Sequence, residues 1–286
     1  MFDESTKKEP LIPEKDMIDT FFEQINTSRV NPISIGIYGA DGTAKSGIVM
    51  DCRTDEEKQQ GKKIIIFDLD LSNANLKANF HNNDENIILL NPWTITDGKI
   101  DYVKTYMKLL GWINLIPKKF KPDEIKVVSI DSLDNLLEIC KNAMKEEMGI
   151  GHNKQIEIKD WELRNEKYNA VFRATYSLSC IKVFITHLKE RMTFQNGLQY
   201  STIMEPEWHR STPNFLHLTL LCERTEINKD NKTIVEFSAV VKKSKIGLSL
   251  EGKKINVALI IQEKNKEPMF NWDNNIFKKI LNKQKW

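Results

Sequence analysis

The feature of this sequence that most restricts its fold is a glycine-containing turn between two apolar segments. Residues 33–38 form an apolar run before the turn, and residues 48–50 read Ile-Val-Met after it. Between them, residues 39–46 read Gly-Ala-Asp-Gly-Thr-Ala-Lys-Ser, which fits the pattern G-x-x-x-x-G-K-[ST] at every fixed position but one. A strand that turns in this way into a helix is a building unit of parallel α/β sheets.

The same turn has the composition of a phosphate-binding loop. In such a loop, successive backbone N–H groups form one concave nest that holds phosphate oxygens. Lys45 is expected to reach the β- and γ-phosphates, Ser46 to ligate Mg²⁺, and the helix start to add its positive dipole end. The sequence therefore predicts binding of ATP with Mg²⁺, the alternative being a β–α turn that binds nothing. The predicted nucleotide-binding residues are Gly39, Ala40, Asp41, Gly42, Thr43, Ala44, Lys45, Ser46 and Gly47.

Ala44 stands where the pattern has its last glycine. Glycine is needed where φ is positive or where the backbone must touch a ligand. Because the residue before the lysine enters the helix, we expect the methyl group of Ala44 to be sterically acceptable. With this alanine, the loop resembles the G-x-P-G-x-A-K-S form of MCM helicases and MoxR-type ATPases.

Composition excludes several classes of protein. The chain has 286 residues, 40% hydrophobic and 29% charged, which is ordinary for one large globular α/β domain. The net charge of +2 does not mark a nucleic-acid-binding protein, so any surface that binds nucleic acid must be a local basic patch. No apolar run approaches the roughly 18 residues of a membrane helix. The polar N-terminus and four widely spaced cysteines indicate a cytoplasmic protein with reduced thiols.

Strand-like and helix-like segments alternate as far as residue 185, which is typical of a parallel sheet with helices on both faces. The predicted strands are 33–38, 63–67, 87–90, 125–130 and 181–185, and the predicted helices are 102–115, 132–148 and 160–179, with 53–63 as a solvated connection. Three later strand-like runs, 215–222, 233–241 and 254–261, predict antiparallel strands that extend the sheet. Residues 1–13 are predicted to be a flexible tail, and 14–286 a single domain with an N-terminal helix at 15–27 and a C-terminal helix at 272–281.

Two acidic positions follow predicted strands. Asp131 ends the apolar run that starts at Lys126, and a carboxylate there can hold Mg²⁺ through water. The alternative is that Asp131 only caps the helix that starts at Ser132. AAA+ and MCM proteins have a Glu where this chain has Ser132. RecA-type ATPases instead place the catalytic base that activates water after the second strand, where this chain has Asp70. The family usually has Glu at this position. The alternative is that Asp70 is only a residue of the turn.

Two further strand ends resemble RecA-like ATPases. Thr186-His187 resembles the strand end of phage and archaeal members, which implies a position near the γ-phosphate; a structural histidine is the alternative. Lys243 and Lys245 match the K-x-K spacing of RecA-type filaments. That resemblance implies lysines that reach the nucleotide of the adjacent subunit and neutralise transition-state charge. The alternative is a solvated, lysine-rich strand end.

In their chain order, these residues resemble the RecA-like P-loop ATPases, particularly the compact phage and archaeal members related to recombinases and annealing ATPases. The resemblance extends from about residue 33 to residue 261. It implies a RecA-like P-loop NTPase fold, ATP hydrolysis in DNA recombination, repair or replication, and a homo-oligomeric ring or filament. The chain departs from the family at Ala44 and Asp70, and it has no recognised DNA-binding domain at either end.

Residues 189–214 follow the last parallel strand, where RecA-like proteins keep a DNA-binding loop. Cations and aromatic rings suit single-stranded DNA, although Glu190, Glu205 and Glu207 dilute the charge. An ordered lid or a subunit contact is the alternative. The candidate DNA-binding residues are Lys189, Arg191, Phe194, Tyr200, Trp208, His209 and Arg210. Two other functions stay open: a nucleotide-dependent switch or assembly module that binds a protein partner, and an AAA+ or MCM-like motor.

Overall fold

Short runs rich in isoleucine and valine, buried on both faces, form the centre of the molecule. The structure is a computed structural model that describes residues 32–157, 160–195, 198–229, 232–263 and 268–272. The predicted tail at 1–13, the helix at 15–27 and residues 273–281 of the predicted last helix lie outside these ranges. The described residues from Ile33 onward form one compact unit. No helix among them is long and apolar enough to cross a membrane.

The strands are β1 Ser34–Gly39, β2 Lys63–Asp68, β3 Ile87–Leu90, β4 Ile95–Thr96, β5 Lys99–Ile100, β6 Ile125–Asp131, β7 Ile181–Gln195, β8 Leu198–Pro206, β9 Leu218–Lys229, β10 Lys232–Ser244, β11 Lys254–Glu263 and β12 Met269–Trp272. Among the described residues, ten of these strands form one mixed sheet in the order β12-β11-β10-β9-β1-β7-β6-β2-β3, with β8 paired to β7, and β4 and β5 form a separate pair. From β3 to β9 the neighbours are parallel, and from β9 to β12 they are antiparallel. This confirms a mostly parallel sheet extended by antiparallel strands and is consistent with a RecA-like fold. The run predicted at 215–222 is not antiparallel to its first neighbour, because residues 218–222 of β9 pair parallel to β1.

Helices cover both faces of the sheet, as predicted. The helices are α1 Lys45–Met50, α2 Asp55–Gln59, α3 Asn73–Phe80, α4 Tyr102–Lys119, α5 Leu133–Glu147, α6 Trp161–Tyr176 and α7 Thr212–Phe215. One core contains the apolar stripes of α4, α5 and α6, including Leu109, Leu136 and Phe172. The other contains α1 and the inner face of the C-terminal strands, including Ile48 and Phe237.

Several segments differ from the sequence-based prediction. The connection predicted at 53–63 contains α2, because Thr54 and Glu57 form a reciprocal capping box. Helix α3 was not predicted, since its sequence Asn-Ala-Asn-Leu-Lys-Ala-Asn-Phe has no apolar periodicity. The start of the predicted last helix is wrong, because Trp272 belongs to strand β12.

The largest difference is at residues 189–206. Strand β7 does not end near residue 185 but continues to Gln195 and pairs with β8 as an antiparallel arm. The predicted strand is short because the continuous apolar run ends at Ile185, and the side chains described at 189–192 and 202–204 are exposed to solvent, as in a hairpin that faces water. The predicted loop is therefore a two-stranded extension of the central sheet.

Candidate nucleotide site

Three predicted site residues and Asp68 lie at one edge of the sheet because the parallel strands end there together. Gly39 at the end of β1 is in register with His187 on β7, and Asp68 at the end of β2 is in register with Asp131 on β6. The carboxyl ends of parallel strands form the usual ligand crevice of an α/β sheet. The phosphate loop leaves β1 at this edge and enters α1 at Lys45.

The phosphate loop is held by its own side chains. Thr43 donates its hydroxyl to the Ala40 carbonyl at 2.8 Å. The Lys45 ammonium donates to the carbonyls of Gly39 at 3.1 Å and Ala40 at 2.8 Å. Burial lowers the pKa of Lys45, because a charged ammonium loses hydration there. A phosphate group that replaced these carbonyls would restore a full opposite charge to Lys45.

The reason for which Ala44 was expected to be acceptable, entry into the helix, is wrong. Ala44 is not yet in helical conformation but has φ 62° and ψ 23°, in the left-handed region. This region is costly for a residue with a Cβ atom, so the position does favour glycine. Gly42, with φ 68°, meets the same requirement without that cost. The loop therefore keeps the backbone path of a glycine loop despite the alanine.

Ser46 and Asp131 form the candidate metal site. The Ser46 hydroxyl donates to Asp131 Oδ2 at 2.5 Å, so the two side chains converge on one point. Asn73 donates its amide group to the same oxygen at 3.0 Å and to Asp68 Oδ1 at 2.8 Å. Its buried carbonyl oxygen has no partner. Sequence analysis missed Asn73, since it lies in the unpredicted helix α3.

The donor set fits Mg²⁺, which prefers oxygen ligands and keeps several waters. Among the described residues, no group of three or more His, Cys, Asp or Glu side chains forms a metal site of its own. Ser46 would therefore ligate the ion together with phosphate oxygens. Asp131 and the free Asn73 oxygen would accept hydrogen bonds from its water ligands. Burial raises the pKa of Asp131 to about 6, and a nearby cation would favour its charged form.

Asp70 is held in place by the residues that follow strand β6. It accepts a hydrogen bond from the Ser132 hydroxyl at 2.7 Å and another from the Asn135 amide group. Ser132 thus occupies the position of the AAA+ glutamate but fixes a carboxylate from the neighbouring strand. This arrangement brings Asp70 and the phosphate loop to one cavity.

His187 connects three acidic residues at the mouth of the cavity. Its Nδ1 lies 3.1 Å from Asp134 Oδ2, and its Nε2 lies 3.3 Å from Asp41 Oδ1 and 3.8 Å from Asp70 Oδ2. The hydrogen bond that His187 donates to Asp134 raises the pKa of His187. The preceding Thr186 is fully buried and donates to the Glu207 carbonyl at 2.6 Å. Of the predicted pair, His187 faces the cavity while Thr186 anchors the base of the arm.

Lys243 and Lys245 lie far from the phosphate loop of their own chain. Ser244 pairs with Leu218 at the opposite, amino-terminal edge of the parallel strands. Lys243 donates its ammonium group to the Pro213 carbonyl at 2.7 Å, and Lys245 donates to the Asn214 carbonyl at 2.6 Å. Their predicted role toward the nucleotide of a neighbouring subunit stays a prediction.

The candidate DNA-binding residues are dispersed over the arm and its base. Lys189 pairs with Glu207 at 2.5 Å, and Arg191 pairs with Glu205 at 3.0 Å. Trp208 packs edge-on against Tyr38, with ring centroids 5.6 Å apart. Arg210 is exposed, and the His209 ring lies tilted against Tyr168, with ring centroids 5.4 Å apart. The side chains of Phe194 and Tyr200 lie outside those that the structure describes. The described cations of this segment are thus paired in part, and two of its described rings are packed against the protein.

The cavity beyond the phosphate loop has a volume of about 470 Å³, within the range of small-molecule sites. Its far wall is apolar and comes from α3 and the C-terminal strands. The apolar lining residues are Leu76, Phe80, Phe237, Ile260, Phe270 and Trp272. Sequence analysis missed this wall, although alternation in Met-Phe-Asn-Trp at 269–272 is a strand signal.

Comparison with known proteins gives no family for this chain. No protein-family model matches the chain, and no curated protein matches it in sequence. One similar solved structure is the KaiC-like protein PH0186 from the hyperthermophilic archaeon Pyrococcus horikoshii OT3, at 11% identity and a TM-score of 0.44. The match covers 84% of this chain and 89% of that one. At this level of similarity, no activity or partner is transferred to the present chain.

Proposed function

We propose that this protein is a Mg²⁺-dependent, RecA-like P-loop ATPase. The observation that carries the proposal is the convergence of separate strand ends on one cavity. The phosphate loop follows β1, the Ser46–Asp131 pair joins α1 to β6, and Asp70 follows β2. Each element supplies one requirement of phosphoryl transfer: a phosphate cradle, a metal site and a carboxylate that can orient water.

The residues divide the work as follows. Lys45 exchanges its carbonyl partners for β- and γ-phosphate oxygens. Asp70, fixed by Ser132 and Asn135, accepts a hydrogen bond from the attacking water and aligns it with the γ-phosphate. His187 lies beside Asp70 and adds positive charge near the terminal phosphate when it is protonated. A bound Mg²⁺ supplies neutralisation of phosphate charge, and the apolar wall receives the nucleobase.

The direct test is nucleotide binding by a Lys45→Ala variant. Loss of most ATP affinity is expected, because the lysine is the point charge on the phosphates. Lys58→Ala is a matched control, since its partly exposed ammonium lies near Asp51 at 3.9 Å outside the cavity. Calorimetric titration with and without Mg²⁺ measures both effects. Unchanged ATP affinity in a folded Lys45→Ala variant would remove the nucleotide-site assignment.

The proposal has a finer part, a role in DNA recombination, repair or replication through single-stranded DNA. Its support is the continuity of β7, which carries His187 at the cavity and Lys189 and Arg191 on the arm. Both arm cations are more than half exposed, and exposed ion pairs exchange partners at little cost. Phosphate groups of single-stranded DNA can therefore compete with Glu205 and Glu207 for the side chains of Lys189 and Arg191.

ATPase measurements with and without single-stranded DNA test this part. A rise in rate that weakens with salt is expected, and Lys189→Ala with Arg191→Ala should lose it while keeping basal turnover. Lys118→Ala with Lys119→Ala removes two cations from the distant end of α4 and is the control. If the ATPase rate does not change when single-stranded DNA is added, the alternative of a nucleotide-dependent switch that binds a protein partner is favoured.

A further inference from the structure

The two strands that flank β1 each bring a basic side chain to the phosphate loop. On one side, β7 places His187 in register with Gly39. On the other side, β9 places Cys222 in register with the same glycine and continues for seven residues beyond it. Arg224 is the first cation on that continuation. The sequence alone does not reveal this placement, because Arg224 is far from the phosphate loop along the chain.

Arg224 faces the phosphate loop. Alternate residues of a strand share one face, so Arg224 lies on the same face as Cys222. The Cys222 Cβ is 3.2 Å from the Cβ position of Gly39, which places this face against the loop. The Arg224 Nη1 atom is 4.0 Å from the Cβ position of Gly42, at the tip of the loop. The guanidinium group therefore stands beside the backbone that would receive the phosphates.

The site needs another cation. Three carboxylates, Asp41, Asp70 and Asp131, line the cavity that would hold the phosphates. Among the described lining residues, Lys45 alone carries a permanent positive charge. Hydrolysis adds negative charge at the terminal phosphate as the transition state forms. Arginine suits this task, since its planar fork matches two phosphate oxygens and it stays protonated.

Arg224 is held weakly in the structure. Its Nη2 atom lies 3.4 Å from Glu226 Oε2, and both side chains are 48% exposed. Such surface pairs are worth little, so a phosphate group can replace the carboxylate. The Arg224 side chain is thus positioned at the loop and free to change partner.

We propose that Arg224 binds the terminal phosphate of the nucleotide held by its own chain. This rests on the proposed function. The cationic side chain that contacts the terminal phosphate would then come from the same subunit, whereas the RecA resemblance implies that it comes from the neighbouring subunit. Glu226 holds the guanidinium group when nucleotide is absent and competes with the phosphate for it.

The test compares ATP and ADP affinities of folded variants by calorimetric titration. Arg224→Ala is expected to weaken ATP binding about 10- to 100-fold, the range of a charge-assisted hydrogen bond, and ADP binding less than about threefold. Arg224→Lys should be intermediate, because it keeps the charge but loses the fork. Glu226→Gln should strengthen ATP binding. Lys229→Ala is the matched control, on the same strand but about 17 Å further along.

The outcomes separate this proposal from the function on which it rests. Equal ATP affinity in wild-type protein and Arg224→Ala, with Lys45→Ala still impaired, overturns the role of Arg224 alone. An equal loss for ATP and ADP overturns the assignment to the terminal phosphate. If Lys45→Ala is also unimpaired, the nucleotide site itself is wrong. Mixing Arg224→Ala with Lys45→Ala should restore no activity, since each site needs both residues from one chain; recovery would overturn the same-chain assignment.

Discussion

Replacement of Ala44 by glycine should stabilise this protein. Ala44 has φ 62°, and a left-handed conformation costs a residue with a Cβ atom about 1–2 kcal/mol. Glycine removes that cost but gains freedom in the unfolded chain, which offsets about 0.4–1 kcal/mol. The difference predicts a gain of about 0.5–1 kcal/mol in the free energy of unfolding.

Urea denaturation followed by circular dichroism measures this gain. The midpoint should rise with an unchanged m-value, and the thermal midpoint should rise by about 1–4 °C. Ala78→Gly is the control, because Ala78 is exposed within helix α3 and its replacement should cost about 1 kcal/mol. The reasoning is refuted if Ala44→Gly destabilises the protein as much as Ala78→Gly does.

The remaining predictions concern turnover, assembly and pH. Asp70→Asn should reduce kcat while leaving ATP affinity nearly intact, since it removes a contact to the attacking water; an unchanged rate would place the base elsewhere. If Lys243 and Lys245 reach a neighbouring nucleotide, specific activity rises with protein concentration and their double alanine variant loses turnover. Mixing that variant with Asp70→Asn should then restore part of the rate, and no recovery in co-assembled protein would argue against the role. Burial lowers the pKa of His81 to about 4, so the free energy of unfolding should fall as pH decreases from about 6.5 toward 4, and His81→Gln should flatten this dependence.

The sequence predicted the parallel part of the fold because buried strands carry a continuous apolar signal. It also placed Lys45, Ser46 and Asp131 correctly at one sheet edge, since motif order fixes which strand ends meet. Helix α3 has no such signal, because its sequence lacks apolar periodicity, and its first residue Asn73 is held by Asp68 and Asp131. Asn73, which lies in that helix, was missed for this reason.

Other positions in the fold depend on strand pairing and register, which spacing along the chain does not reveal. The position of Arg224 follows from the pairing of Cys222 with Gly39. Likewise, the distance of Lys243 and Lys245 from the phosphate loop follows from the antiparallel return of β10. The arm at 189–206 was read as a loop because the RecA resemblance places a DNA-binding loop there, although Met192 and Phe194, and then Leu198 and Tyr200, alternate with polar residues as in a strand.

Gly47 in helix α1 and Trp272 in strand β12 pack against each other. A Cβ atom on Gly47 would lie 1.9 Å from the Trp272 ring, so the indole rests directly on the helix that begins at the phosphate loop. Trp272 is also part of the apolar cavity wall. If ATP occupies this cavity, docking of strand β12 and binding of ATP are linked equilibria, and each favours the other by the same free energy. ATP should consequently protect the residues around 269–272 from proteolysis, and removal of β12 should weaken ATP binding although more than 200 residues separate it from Lys45 in the sequence.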